Sequence, residues 1–365
     1  LNDGYRAEAD ALDAEILTAI HARKVPDFDD LALRIFAHQL RYNKPYARYC
    51  SSLQITPARM PDSWDTIPPV PAGAFKEAAL CTFDPSQAFL AFETSGTSSG
   101  ARGKHYLEDS NLYDASLLGS FEQYFLQGAG TIFRFLLLVP HFSPAQGGRQ
   151  SSLAYMMDRA ASCFGDGQEQ WFIKGHTLIV PDFVAAARAA TGENVPVILA
   201  GTAFSFVALL DDLRERGIAS LPLPAGSKIM ETGGFKGRTR TLSPVELYQD
   251  LSTVFAIPKS LIIAEYGMTE LLSQYYDRSG EEPRTKAGPP WLRSYAVDEN
   301  GKQLPPGTVG ALVHVDLANR SSCVAVQTED LGAVFEDGGL VLIGRERGAE
   351  LRGCSLDAES LRAAS

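Results

Sequence analysis

The sequence predicts an α/β fold: a large domain of alternating strands and helices around a largely parallel sheet, preceded by a helical lead-in and followed by a small antiparallel β appendage. Three observations carry this. Continuous apolar runs of strand length, 132–139 and 195–200, are separated by stretches with helical patterning near 151–161 and 182–190, the βα rhythm of strands covered on both faces. Residues 5–49 repeat apolar side chains at helical spacing. Beyond about residue 289 the texture changes to short β-like runs separated by turns.

In the lead-in, Leu12, Ile16 and Ile20 fall four apart, and Leu31, Leu33, Ile35, Phe36 and Leu40 form a second stripe with Asp27 as its candidate cap. Residues 57–71 are proline-rich, and Ile67-Pro68-Pro69-Val70-Pro71 suits neither a helix nor a central strand, so an extended surface path is expected. A strand candidate at 88–92 then feeds the run Thr94-Ser95-Gly96-Thr97-Ser98-Ser99-Gly100-Ala101-Arg102-Gly103-Lys104-His105, and a helix-like stretch starts at Asp109. Further on come a helix over 204–216 and a short strand over 228–231 running into Thr232-Gly233-Gly234. Ser243 and Glu246 form a capping box with Pro244 at the first helical position, opening a helix to about Phe255. The strand 261–264 ends in Glu265-Tyr266-Gly267-Met268-Thr269-Glu270, and ligands bind at such carboxyl ends in open α/β sheets. The appendage reads as runs 291–297, 309–316, 323–327, 332–335 and 340–343, which fit a small barrel.

A chain of 365 residues, 45% hydrophobic and 21% charged, supports one large or two moderate domains. The net charge of -11 and the lack of basic blocks argue against nucleic acid as the main partner. No apolar run reaches spanning length and no leader pattern opens the chain, so the expectation is a cytoplasmic protein without a membrane span, its initiating end missing or trimmed before Leu1. The five cysteines, Cys50, Cys81, Cys163, Cys323 and Cys354, are widely spaced without CxxC, so neither disulfides nor a structural metal site is expected.

The glycine run has the chemistry of a polyphosphate loop: glycines admit close backbone approach, N–H and hydroxyl groups donate to the anion, and Lys104 opposes its charge. The same composition also occurs in flexible linkers. The strand before it and the amphipathic Leu117, Phe121, Tyr124 and Phe125 after it favour the phosphate reading, although no Walker A pattern is present. Taken singly, Tyr266-Gly267 also reads as a strand-to-helix turn, Asp330 as a turn residue, Arg345 as a surface charge, and His105 and His141 as packed or solvated.

The glycine run, Glu231-Thr232-Gly233-Gly234, Tyr266-Gly267-Met268-Thr269-Glu270, Thr328-Glu329-Asp330-Leu331 and Gly344-Arg345 occur in the order found in the acyl-adenylating (ANL) superfamily of acyl-CoA synthetases, peptide-synthetase adenylation domains and firefly luciferase. Glu231 to Arg238, Asp316 to Ser321, Gln327 to Gly332 and Arg352-Gly353-Cys354-Ser355-Leu356 resemble blocks of one branch, the LuxE-type acyl-protein synthetases.

That resemblance implies an ANL-type large domain over 1–343, including a β-rich subdomain at about 289–343, and a tail over 344–365 carrying Cys354 as a vestige of the superfamily's mobile domain. It implies an enzyme, an AMP-forming acid–thiol ligase using ATP and Mg2+. Ser95, Gly96, Thr97, Gly100 and Lys104 would face the pyrophosphate, Thr269 the α-phosphate and Glu270 the magnesium. Gly233, Gly234, Tyr266 and Gly267 would hold adenine, Asp330 and Arg345 the ribose, and Cys354 the acyl group as a thioester. The implied substrate is a long-chain fatty acid, with acyl reductase and thioesterase proteins as partners. Two rivals stay open: an adenylase for an aromatic or other acid that hands its product to CoA or a carrier, and a nucleotide-binding scaffold without turnover. The loop departs from the superfamily pattern by lacking proline before Lys104, which leaves open whether Arg102 shares its task.

Overall fold

In the computed structural model of the chain, the residues described are 3–94, 102–128, 130–142, 151–233, 243–278 and 284–345. They fall into two compact units, one made of Leu1–Ser120, Met268–Gln274 and Ala287–Ser365, the other of Phe121–Gly267 and Tyr275–Lys286.

The first unit opens with helices α1 (Asp3–His21), α2 (Phe28–Tyr42) and α3 (Lys44–Ser52). Asp27 caps α2 by accepting from the Asp30 N–H, and Asn43 caps α3 by accepting from Tyr46. Helix α1 buries Tyr5, Ala9, Leu12, Ile16, Ala19 and Ile20, the stripe its spacing demands. The proline-rich stretch departs from the surface path expected of it. Ile67 and Val70 are fully buried, and Val70–Pro71 (β1) lies parallel to a distant strand, Val70 opposite Val326 and Pro71 opposite Gln327. A two-residue strand asks little of a proline backbone, which can still accept through its carbonyl. Strand β2 (Leu90–Glu93) pairs antiparallel with β3 (Lys104–Leu107), so the glycine run joins two strands of a hairpin and the helix, α4 (Asn111–Ser120), begins only after β3.

The second unit holds the parallel sheet. After a π-helical turn at Phe121–Leu126 come β4 (Arg134–Pro140), α5 (Ser152–Phe164), β5 (Gln170–Lys174), β6 (Thr177–Leu178), α6 (Val180–Glu193), β7 (Val197–Thr202), α7 (Ala203–Glu215), β8 (Lys228–Thr232), α8 (Pro244–Phe255), β9 (Ile262–Tyr266), β10 (Tyr275–Asp277) and the start of β11 (Lys286–Ala287). Strands β9, β8, β7, β4 and β5 run parallel in that order, with β10 and β6 antiparallel at the two ends. Leu136, Leu138, Val197, Leu199, Ile229 and Ile262 meet α6, α7 and α8 on one face. On the other, Phe121, Phe135 and Phe164 stack, the Phe121–Phe164 centroids 5.7 Å apart. Short β5, β6 and β10 escape the sequence reading because none is a continuous apolar run. Buried Lys228 bonds the Phe125 and Leu126 carbonyls at 2.9 and 3.1 Å, a cation closing the end of the π turn.

Back in the first unit, β12 (Leu292–Val297), β13 (Val309–Asp316), β14 (Ala325–Val334) and β15 (Leu340–Arg345) form an antiparallel ladder in chain order. Two expected runs, 323–327 and 332–335, are parts of the single strand β14, with Asp330 inside it rather than in a turn. Strands β12 and β15 are not neighbours, β15 having β11 on its other side, so the four strands form a meander and not the small barrel expected.

Helix α2 grips the loop between β13 and β14. Gln39 Nε2 donates to the Asn319 and Arg320 carbonyls at 2.8 and 3.1 Å, its Oε1 accepts from the Val324 N–H at 2.9 Å, and Asn43 Nδ2 donates to the Ser322 carbonyl at 3.1 Å. From the same loop, Arg320 (3% exposed) donates to Asp13 at 2.7 and 2.6 Å, to Glu108 at 3.1 Å and to the Tyr5 hydroxyl at 3.2 Å. Removing one partner from such a cluster strands the others, which costs about 3–5 kcal/mol. Arg320→Met is therefore expected to lower unfolding stability by about that amount, read from urea denaturation, with partial recovery when Asp13→Asn and Glu108→Gln are added. A single-variant loss under about 1 kcal/mol would reduce the cluster to the standing of surface pairs.

Candidate active site

The neck of the glycine hairpin is closed twice. The Thr94 N–H donates to the Gly103 carbonyl at 2.9 Å, and the Gly103 N–H donates to Thr94 Oγ1 at 3.0 Å. A Cβ on Gly103 would lie 3.1 Å from the Phe75 backbone carbon, so a larger residue would have to push its neighbours aside by a few tenths of an ångström. Lys104 opens β3, exposed, in register with Glu93. Arg102 has its Nη1 3.8 Å from Glu93 Oε2, so this guanidinium is engaged at the neck. Ser95, Gly96, Thr97 and Gly100 lie outside the described residues, as do Gly234 and Cys354.

The next residue, His105, is fully buried. Its Nδ1 lies 2.7 Å from the Thr269 carbonyl, and burial pulls its pKa down to about 4 against that bond. It is therefore neutral at pH 7 and donates from Nδ1. The adjoining Glu270 carbonyl accepts from Asn319 Nδ2 at 2.8 Å, and the same amide nitrogen donates to the Cys323 carbonyl at 3.1 Å. Two residues on, Asp316 accepts from the Leu272 N–H at 2.9 Å and from Ser273 Oγ at 2.8 Å. The segment that carries Thr269 and Glu270 is thus held by side chains from β3, β13 and the β13–β14 loop. Glu270 itself is buried, 7% exposed. Asp330, 8% exposed, lies on β14 opposite Arg345 in the ladder, and its N–H donates to Thr328 Oγ1 at 3.0 Å.

In the second unit, the carboxyl ends of β8 and β9 carry a buried polar cluster that joins Glu231, Thr232 and Glu265 of the motif blocks to Tyr248, Asp277, Arg284 and Lys286, which motif reading passes over. Thr232 and Glu265 face each other in register, the threonine hydroxyl donating to the carboxylate. Glu231 accepts from the Tyr248 hydroxyl at 3.0 Å. Asp277 receives Arg284 and Lys286, each at 2.8 Å, and the Ala264 N–H at 2.9 Å, while Arg284 lies 4.1 Å over the Tyr248 ring. The i, i+2 spacing of Arg284 and Lys286 is the one sequence signal for this pair. Tyr266 ends β9 beside Tyr275, ring centroids 6.1 Å apart, followed by half-buried Gly267. Gly233 has φ +68, left-handed backbone that suits glycine.

Among the described residues no group of three or more His, Cys, Asp and Glu is placed to hold a metal ion. Magnesium does not require one, since a single carboxylate completed by substrate phosphates and water suffices, and Glu270 has that donor chemistry. Cys50, Cys81 and Cys323 are buried free thiols, each raised by burial, and Cys163 is exposed and free. No helix among the described residues is long and apolar enough to cross a membrane.

Parallel strands alternating with helices, with glycines and ionisable groups at their carboxyl ends, define an α/β protein. The profile of the LuxE acyl-protein synthetase family matches residues 6–361, and the chain belongs to that family. No curated protein matches it. Among solved structures, ATP-bound MatB from Rhodopseudomonas palustris aligns with TM-score 0.49 and 17% identity over 72% of this chain and 49% of that one. McyG A-PCP complexed with phenylalanyl-adenylate gives 0.49 and 17% over 73% and 42%. MenE, the O-succinylbenzoate coenzyme A synthetase of Bacillus subtilis, in complex with AMP gives 0.48 and 16% over 72% and 50%. The chain spans about half the length of these structures.

Burial pushes the Glu265 carboxyl from 4.5 up to about 7, against the Thr232 hydrogen bond and the Lys286 charge. The folded state therefore keeps this proton between those pH values while the unfolded state has lost it, so this group's contribution to stability falls as pH rises through that window. Glu265→Gln cannot titrate. It is expected to gain on the wild type by up to about 3 kcal/mol between pH 4.5 and 7, with a flat difference outside the window. Urea midpoints across that range check it, and a pH-independent difference would contradict the shift.

Proposed function

We propose that the chain uses ATP to activate a carboxylic acid, a long-chain fatty acid by family resemblance, and then carries the acyl group on Cys354 for delivery to a reductase partner. The observation that supports this most is the buried Glu270 carboxylate on a segment held by its own backbone carbonyls, within a chain that belongs to the acyl-protein synthetases. In the first half-reaction a substrate carboxylate oxygen bonds to the α-phosphorus of ATP, the bond to the bridging oxygen breaks, and pyrophosphate leaves. Ser95, Gly96, Thr97, Gly100 and Lys104 receive its charge, and Thr269 donates to the α-phosphate. Gly233, Gly234, Tyr266 and Gly267 receive adenine, while Asp330 accepts from the ribose hydroxyls and Arg345 assists there. Magnesium held by Glu270 would neutralise phosphate charge. In the second half-reaction the Cys354 thiolate attacks the acyl carbonyl, AMP leaves, and a thioester remains. The chemistry is that of a domain over 1–343 with a tail over 344–365.

The wild-type protein is expected to exchange pyrophosphate into ATP only when a carboxylic acid is added, most strongly with long-chain acids, and to form AMP. Glu270→Gln should retain the fold and lose about two orders of magnitude of that rate, the scale of one charge-stabilising contact in a dry site. ADP as product, or no exchange with any acid in a panel of aliphatic and aromatic acids, would overturn the reading. An aromatic optimum would reassign the substrate.

Cys354→Ala is expected to abolish hydroxylamine-labile labelling of the protein by radioactive fatty acid while acyl-adenylate still forms. Replacing Cys50, Cys81, Cys163 and Cys323 together should leave labelling in place. Full labelling of the Cys354→Ala protein would exclude self-acylation at that residue.

A further inference from the structure

We propose that His105 and Asn319 are positioning residues for adenylation, fixing the backbone of Thr269 and Glu270 through two successive carbonyls. The inference rests on the reading of Thr269 and Glu270 as groups that serve the phosphates of ATP. It adds two side chains, neither of which touches substrate.

Both side chains are fully buried and approach from different elements, His105 from β3 and Asn319 from the β13–β14 loop. His105 Nδ1 meets the Thr269 carbonyl at 2.7 Å and Asn319 Nδ2 meets the Glu270 carbonyl at 2.8 Å. The two carbonyls belong to the successive peptide planes that flank the Glu270 Cα, so holding both fixes the direction in which the Glu270 side chain leaves the backbone, and holding the first fixes one of the two planes at Thr269. Asn319 has its orientation set by its second bond, to the Cys323 carbonyl at 3.1 Å, since only the amide nitrogen can face two acceptors. Gln39 holds the carbonyl of Asn319 itself at 2.8 Å, so the clamp is in turn anchored on α2. The remaining polar atoms, His105 Nε2 and Asn319 Oδ1, have no hydrogen-bond partner among the described residues. Leaving such atoms buried is costly, and the arrangement spends that cost on two donors aimed at one dipeptide.

His105 also sits directly after Lys104 on the strand leaving the glycine run. The bond to Thr269 therefore ties the hairpin that presents Lys104 to the segment that presents Glu270, and one side chain sets the spacing of both. A misplacement of about 1 Å can cost about a hundredfold in rate, which gives the size of effect to look for.

The test is carboxylate-dependent pyrophosphate exchange on the full chain, with kcat and KM for ATP measured separately. His105→Phe fills the space but has no donor, and it is expected to lower kcat about 10- to 100-fold with KM for ATP changed less than about threefold. His105→Asn places an amide nitrogen close to the Nδ1 position and should recover kcat to within about threefold of wild type. Asn319→Asp puts an acceptor where two carbonyls expect a donor, so it should be slower than Asn319→Ala at pH 7 and gain relative to it on acidification, as the carboxyl becomes protonated. Should Asn319→Asp fail to fold, the His105 pair decides alone. Wild-type kcat in His105→Phe, or no recovery in a folded His105→Asn, overturns the assignment and leaves the adenylation reading standing. No exchange in the wild type removes the adenylation reading, and this assignment falls with it.

Discussion

The carboxylate of Asp316 is the contact on which the first unit's site is built. It is fully buried and accepts from the Leu272 and Ala318 N–H groups and the Ser273 hydroxyl, at 2.9, 3.0 and 2.8 Å. Burial and these bonds act in opposite directions on its ionisation, and burial wins, leaving the carboxyl raised to about 6. Among the described residues, the donors that reach it are neutral. Without it, the Leu272 and Ala318 N–H groups would be buried unpaired, and a segment of irregular backbone has few other ways to satisfy them. The seven-residue excursion Met268–Gln274 can stay packed in this unit because β13 supplies that acceptor at its carboxyl end.

The second unit handles its buried carboxylates differently, and the contrast shows what each arrangement is suited to. Asp277 meets two cations and a backbone N–H, the full neutralisation that makes a buried charge tolerable, and it serves to lock β10 to the edge of β9. Glu265, one strand in, has a threonine hydroxyl bond and the more distant Lys286 charge to set against its burial, and burial wins, so its proton is held to about 7. A group that titrates so near neutrality beside Thr232 and Gly233 makes the local field there responsive to whatever charge arrives. Asp277, with its partners fixed, is structural.

Local signals in the sequence were the ones that could be read. The Ser243–Glu246 box, the Asp27 cap and the β8 and β9 runs are written within a few residues of themselves, and α8, α2 and both strands follow them. The pairing of Val70–Pro71 with Val326–Gln327 is not written locally at all, because a proline pair declares only what it cannot join. The same holds for His105. Alone it reads as a packed histidine, which it is, while its bond to a carbonyl 164 positions away exists only once β3 and the Met268–Gln274 segment are packed in one unit. The motif residues Lys104, Thr269, Glu270, Tyr266 and Asp330 stand out by type and order, yet nothing in their spacing names the Asn, Gln and His side chains that hold the backbone between them.

Those holding groups share one property. Gln39, Asn43 and Asn319 cannot ionise, and His105, pulled down to about 4 by burial, is neutral wherever the protein is folded near pH 7. A lysine or arginine would make a stronger bond to each carbonyl, but it would bring a buried positive charge to the segment carrying Glu270, at a desolvation cost that a neutral amide or imidazole does not incur. Neutral donors fix the backbone at about 1 kcal/mol apiece and add no charge of their own beside Glu270. Three cations of this unit illustrate the placement: Arg320 pairs with Asp13 and Glu108, Arg102 lies 3.8 Å from Glu93, and Lys104 stands exposed at the hairpin. Under the adenylation reading, neutral anchors of this kind let one segment be held rigidly without adding charge where a nucleotide would bind.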